Sequence, residues 1–297
     1  MKVLVLGVHG FIGRHIATLL GQQGHEIVGA DIPLAGITNC LSIHPEKPDF
    51  EALFQQVQPD ACINCTGAAS VPDSFTNPLH DYTLNTVRIA QTLEAIRKVS
   101  AHTRFIHFSS AAVYGNPSTS LPIRESDGLS PVSPYGWHKR SAEEVCLEYA
   151  QLFGTQSISL RVFSAYGPHL RKQLFWDIYQ KSLHQPRIEL FGTGRETRDF
   201  IYVADIAHAL NVLLHRGDFD GRAVNVASGT ASTIRTAATT LLDALGVEKE
   251  VVFTGNERTG DPSYWQADVS YLRSLGFTPQ FELQSGLGHV ADWLKTL

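Results

Sequence analysis

The chain has 297 residues, of which 43% are hydrophobic and 18% charged, with a net charge of −5. That balance is ordinary for a globular domain, and its acidic sign excludes a basic field for nucleic acid or an anionic membrane surface. No apolar run reaches the roughly 18 residues a membrane span needs.

Residues 2–6 are an apolar run that predicts a strand buried on both faces. The run leads into glycines with no small-residue cleavage site, so we expect a strand rather than a secretory leader, and a cytoplasmic chain. Residues 11–23 carry helical periodicity and stop at Gly24. A second strand over 25–30 ends in Asp31, and a short strand follows near 39–43. The pattern then predicts a helix over 50–57, a strand over 61–65, a long helix over 78–100 and a strand over 104–109. A second long helix over 134–153 and a strand over 157–162 complete the alternation. Alternation of this kind specifies an α/β fold, a doubly wound parallel sheet of Rossmann type.

Past Gly167 the pattern loosens into segments at 170–184, 188–191, 203–215, 223–226 and 234–245. We therefore expect residues 1–165, with 198–228 returning to them, to form the dinucleotide-binding domain. Residues 166–197 and 229–297 are expected to form a smaller, interleaved C-terminal lobe, with the site in the cleft between. Cys62 and Cys65 make a C-x-x-C spacing that invites redox or metal chemistry. They fall on a strand, where positions three apart face opposite ways, and no second pair completes a zinc site. Plain buried thiols in a reducing compartment, and no metal, are expected.

Gly7-Val8-His9-Gly10-Phe11-Ile12-Gly13 follows the first strand and opens the first helix. Glycine lets the backbone approach a pyrophosphate, and the helix N-terminus presents free N–H groups to it. Asp31, at the end of the second strand, can accept from an adenosine ribose diol and would repel a 2′-phosphate, so NAD is expected over NADP. Thr66-Gly67-Ala68-Ala69 reads either as a tight turn or as a place where the cofactor lies against the sheet edge.

Tyr135 and Lys139 stand four apart on a helix that Pro134 starts, and so share a face. A free tyrosine is a poor base at neutral pH. A lysine cation about 4 Å away supplies roughly 4 kcal/mol at an effective dielectric of 20, which brings the phenol toward working pH. Bound NAD⁺ adds to that. Ser110 sits at the carboxyl end of a parallel strand, where such sheets place ligands, and reads either as a turn cap or as a bridge between the tyrosine and a substrate oxygen.

With these residues the chain resembles the extended short-chain dehydrogenase/reductases, in particular the nucleotide-sugar epimerase/dehydratase group. The glycine motif, Asn85, Ser110, Tyr135 and Lys139 all match. The resemblance implies that Tyr135 is the acid/base, that Lys139 lowers its pKa and holds the nicotinamide ribose, and that Ser110 orients the sugar oxygen. It implies a cofactor site of Gly7, Gly10, Phe11, Ile12, Gly13, Asp31, Ile32, Ser42, Ile43, Cys65, Thr66, Gly67, Asn85, Ser109, Tyr135, Lys139 and Val162. Phe191-Gly192-Thr193-Gly194, Thr197 to Val203 and Arg258 to Trp265 look like the clamp for a nucleotide diphosphate sugar, the last similar to that of UDP-galactose 4-epimerases. The implied substrate residues are Ser110, Ser164, Leu174, Phe191, Arg198, Arg258 and Asp261.

The chain departs from the group in three places. Ser164 stands where Asn is usual, Arg88 where many members have glycine, and Ala111-Ala112 where 4,6-dehydratases carry Asp-Glu. A dehydratase is therefore not expected. An NAD-dependent 4-epimerase working through a transient 4-keto sugar is the first reading. A 4-keto-6-deoxy-sugar reductase using NAD(P)H is the second, given the short stretch between Asp31 and Pro59. An NAD(P)-sensing regulator would have lost Tyr135 or Lys139, and both are present. A homodimer is expected through the two long helices, with Ala142, Val145, Cys146 and Tyr149 as a candidate stripe.

Overall fold

The structure is a computed structural model that describes residues 1–33, 40–117, 122–256 and 262–297. Its centre is a seven-stranded sheet in the order β10-β6-β5-β4-β1-β2-β3, every pair parallel. The strands are β1 (Lys2–Leu6), β2 (Glu26–Asp31), β3 (Leu41–Ser42), β4 (Ala61–Asn64), β5 (Arg104–Ser110), β6 (Ser157–Val162) and β10 (Asp220–Val226). Along β1 successive side chains leave opposite faces. Val3 and Val5 enter a core under α1 (Phe11–Gln22) and α8 (Val203–Arg216), with Ile16, Leu20, Ile206 and Leu210. Leu4 and Leu6 enter the opposite core, under α2 (Phe50–Val57), α5 (Arg88–Val99) and α6 (Pro134–Phe153), with Phe54, Leu93, Ala142 and Cys146.

Local chemistry sets the helix ends. The Asp49 carboxylate accepts from Ala52 N at 2.9 Å and starts α2. Ser133 Oγ accepts from Gly136 N at 3.2 Å and starts α6, which Gly154 ends in the left-handed region at φ +70°. The helix expected over 78–100 is not uniform. After α3 (Val71–Thr76) comes α4 (Pro78–Tyr82), then a π-turn at Thr83–Val87, then α5. The π-turn rotates Asn85 and Thr86 inward, where Thr86 Oγ1 donates to His138 O at 2.9 Å. An extra residue per turn of this kind is a frequent device near functional sites.

The C-terminal part packs around its own core of Tyr166, Phe175, Ile178, Phe200, Tyr202, Leu241 and Leu287. It holds β7 (Ser164–Tyr166), α7 (Gln173–His184), β8 (Ile188–Leu190), β9 (Thr197–Tyr202), β11 (Ala231–Thr233), α9 (Ile234–Leu245), β12 (Val251–Phe253) and α11 (Leu283–Leu294), with α10 (Ser270–Ser274) between the last two. β7, β9 and β11 form a three-stranded sheet and β8 pairs with β12. The segment 170–184 becomes helical only from Gln173, because Lys172 before it is extended, at φ −160° and ψ 175°.

Candidate active site

The sheet order reverses between β1 and β4, so their carboxyl ends open a crevice. Gly7 turns there at φ +76°, and a Cβ on it would lie 3.0 Å from Cys65 C. A Cβ on Gly13 would lie 2.1 Å from Gly7 O, so α1 packs against the turn only because both residues lack side chains. Gly10 caps α1 with no side-chain bond, and its first turn carries no acidic residue. The positive end of the helix, with Phe11, Ile12 and Gly13 in its first turn, therefore meets the crevice unneutralised.

Asp31 closes the far wall. Its Oδ2 accepts from His9 N at 2.9 Å and its Oδ1 from Ile32 N at 2.8 Å, leaving lone pairs for a diol. Ile32 is exposed, and Ser42 and Ile43 stand beside Asp31, where Ile43 N donates to Asp31 O at 2.8 Å. Cys65, Thr66 and Gly67 follow β4, with Thr66 N donating to Asn64 Oδ1 at 3.1 Å. Cys62 and Cys65 are free thiols, and burial pushes both well up, away from thiolate chemistry. A glycine cradle, an unneutralised helix end and a carboxylate with free lone pairs are what a dinucleotide requires, so the residues fit NAD.

β5 and α6 bring the reactive groups together. Ser110 ends β5, and its Oγ accepts from Ala112 N at 3.2 Å, so it caps the turn at Ala111–Val113. The turn-cap reading of Ser110 holds. Lys139 is buried, 4% exposed, and its Nζ donates to Phe108 O at 2.8 Å and lies 5.9 Å from the Tyr135 ring centre.

One sequence expectation needs correcting. The lysine does not bring the tyrosine toward neutrality within the protein alone. Burial pushes the Tyr135 phenol up to about 12, against a smaller downward pull from Ser110. Burial also pushes the Lys139 ammonium down to about 8, partly offset by Asp81 and Glu143. The physical reason is desolvation, which penalises the charged form of each group.

Several supports of this cluster were not visible in the sequence. Ser109 Oγ donates to Glu143 Oε1 at 2.5 Å, and Glu143 is paired with Arg161 at 2.7 Å in a buried contact. Arg161 also donates to Tyr114 Oη at 2.8 Å. His138 Nδ1 contacts the buried Asp81 carboxylate at 2.5 Å. A Cβ placed on Gly67 would lie 2.5 Å from Asn85 Oδ1 and 3.7 Å from Lys139 Nζ, so those two atoms converge on Gly67. Val162 lies buried at the end of β6 beside Ser110.

Of the residues expected to bind substrate, Ser164 is half-buried at the start of β7, opposite Phe200. Leu174 packs partly buried against the C-terminal core. Phe191 is 58% exposed, and the Arg198 guanidinium lies 5.9 Å from the Trp265 ring centre while donating to Thr197 O. Arg258 and Asp261 lie outside the described residues. Arg88 holds the 45–46 segment by donating to Pro45 O and Glu46 O. The stripe expected to dimerise is corrected too: Ala142 and Cys146 are fully buried, with Val145 and Tyr149 packed against them, because this side of α6 covers the chain's own sheet.

Residues 3–227 match the family described as NAD dependent epimerase/dehydratase. A Bacillus subtilis relative, an uncharacterized UDP-glucose epimerase (YtcB), is 30% identical, and the alignment covers 100% of this chain and 99% of the relative. The UDP-glucose 4-epimerase of Thermotoga maritima, solved with UDP-glucose, superposes with a TM-score of 0.90 at 26% identity over 100% of this chain and 99% of that one. The UDP-glucuronic acid 4-epimerase of Bacillus cereus, solved with UDP-glucuronic acid and NAD, gives 0.88 at 27% identity over 100% and 99%. The crevice, the Ser110–Tyr135–Lys139 cluster and these similarities agree, and the chain belongs to the NAD-dependent epimerase/dehydratase family, with NAD as its cofactor and a nucleotide-sugar enzyme's architecture.

Proposed function

We propose that the chain is a 4-epimerase of a UDP-sugar, with Tyr135, Lys139 and Ser110 as its catalytic residues. The observation that carries this reading is Lys139, buried with its Nζ 5.9 Å from the Tyr135 ring centre, with Ser110 at the carboxyl end of β5, the edge of the sheet that also holds the glycine cradle. Bound NAD⁺ supplies the hydride acceptor and donor for sugar C4, and positive charge beside the phenol. Tyr135 takes the proton of the C4 hydroxyl as the sugar is oxidised and returns it when the 4-keto sugar is reduced on its other face. Ser110 holds the same oxygen. Lys139 stays charged, binds the ribose hydroxyls and favours the ionised phenol.

The lobe of residues 166–197 and 229–297 takes the nucleotide in this reading, through Phe191, Arg198, Arg258 and Asp261, with Ser164 and Leu174 lining the sugar. Arginine suits the diphosphate because its planar fork donates two parallel bonds. The chain pairs as a homodimer across α4 and α6, whose outward side carries Leu79, Leu147 and Leu152. Light scattering at high concentration that gives only the monomer mass rejects the dimer.

The test is interconversion of UDP-glucose with UDP-galactose, and of UDP-glucuronate with UDP-galacturonate, followed by proton NMR. The parent protein is expected to equilibrate one of these pairs without added cofactor. Tyr135→Phe is expected to lower kcat by about 10²–10⁴ while keeping NAD bound. Oxidation of NADPH by a 4-keto nucleotide sugar, with no epimerisation, rejects the reading in favour of a reductase.

A further inference from the structure

Asp81 is 2% exposed, a burial that ionisable side chains tolerate only with a partner. Its Oδ1 meets His138 Nδ1 at 2.5 Å, and its Oδ2 has no hydrogen-bond partner among the described residues. A carboxylate only accepts, so His138 Nδ1 carries the proton and donates. His138 is in turn held by the Tyr82 ring edge-on at 5.3 Å and by Thr86 Oγ1 on its carbonyl. On α6 His138 follows Tyr135 by three residues, one helical turn, and immediately precedes Lys139. Asp81 and Asn85 share the facing side of the α4–π-turn segment, and both buried amide atoms of Asn85 are also unpartnered. Asp81 thus stands four residues before Asn85, whose Oδ1 converges with Lys139 Nζ on Gly67, and meets the Lys139 helix directly at His138.

We propose that Asp81, clamped by His138, is a positioning residue whose buried carboxylate is the counter-charge that keeps Lys139 an ammonium ion beside Tyr135. The inference deepens the epimerase reading and rests on the roles given there to Lys139 and Tyr135. The other groups facing Lys139 do less of this work. Glu143 also lifts Lys139, but less than Asp81, its carboxylate being shared with Arg161 and Ser109. Burial keeps the Cys65 and Cys146 thiols protonated and His107 neutral. Asp81 heads the groups that lift Lys139 back against its desolvation, and the same charge holds Tyr135 protonated. Without it, a lysine already down at about 8 loses its proton near neutral pH.

The test reads Lys139 directly, without turnover. Protein labelled with ¹³C-lysine is titrated by NMR, with the Lys139 ε-carbon assigned from Lys139→Arg. In Asp81→Asn the Lys139 midpoint is expected to fall by about one pH unit. The paired replacement Asp81→Thr with His138→Ser, which keeps hydroxyl groups facing each other, is expected to shift it the same way and decides the matter where Asp81→Asn does not fold. Asp81→Glu is expected to restore most of the shift. An unchanged midpoint overturns the proposal even if the melting temperature drops, since a purely structural contact lowers stability without moving Lys139. Absence of epimerisation in the parent rejects the epimerase reading and leaves this titration intact.

Discussion

Lys139 shows how one side chain trades stability for chemistry. Its folded pKa lies below the unfolded value, about 8 against 10.5. The sign follows. Below about 8 the folded state must carry a charge it desolvates, and that cost is fully present. The cost fades as pH rises through the folded value and vanishes above the unfolded one. Lys139→Met is therefore expected to abolish activity yet raise folding stability at pH 6–7 by up to about 3 kcal/mol, the lost Phe108 bond subtracting from that. At pH 10 the gain should nearly disappear. Urea midpoints at the two pH values check this, and a loss of stability at pH 7 sinks it. The same deprotonation predicts that kcat declines as pH rises through about 8, because the uncharged amine no longer favours the ionised phenol.

At the scale of elements, two helix starts set the site. α1 must pack its third residue against the turn before it, and only glycine permits that. Gly13→Ala is expected to destabilise the fold and abolish NAD binding together, since a Cβ 2.1 Å from Gly7 O forces the helix away from the turn. Calorimetric NAD titration beside a thermal melt checks it; retained affinity with an unchanged melting temperature rejects this account of the cradle. α6 begins with Ser133 as its cap, two residues before Tyr135. Ser133→Ala is expected to cost about 1 kcal/mol and to lower kcat more than it raises KM, because the first turn that carries Tyr135 frays. An unchanged kcat would show that Ser110 alone holds the phenol.

For the whole molecule, the proposed substrate site draws on residues far apart in sequence, from the carboxyl edge of the large sheet to the C-terminal lobe. Phe191 keeps 58% of its surface exposed, so its conservation of stability and its proposed binding role separate cleanly. Phe191→Ala is expected to raise KM for the UDP-sugar several-fold with little change in melting temperature or in kcat. A variant with the parent's KM removes Phe191 from the nucleotide site and leaves the catalytic cluster untouched.

Elements 50–57 and 134–153 were readable to the residue, because each combines a strong period with a cap or a proline at its start, and 157–162 because it is a continuous strand-forming run. The glycine turn, Asp31, Ser110, Tyr135 and Lys139 were readable for a related reason: their spacing is local, and one strand or one helix presents them. No local pattern marked β7, β9, β11 and β12, three-residue to six-residue strands that exist only through distant partners such as Ser164 with Phe200 and Val251 with Ile188. α11 is a different case, since its leucines and valine hold helical spacing in the sequence and were passed over. Asp81 and His138 are 57 residues apart, and nothing near either one names the other. The chain by itself determined the sheet, the cofactor turn and the spacing of the proposed reacting groups. Only the tertiary structure decided their charge states, since desolvation depends on what the rest of the molecule packs around them.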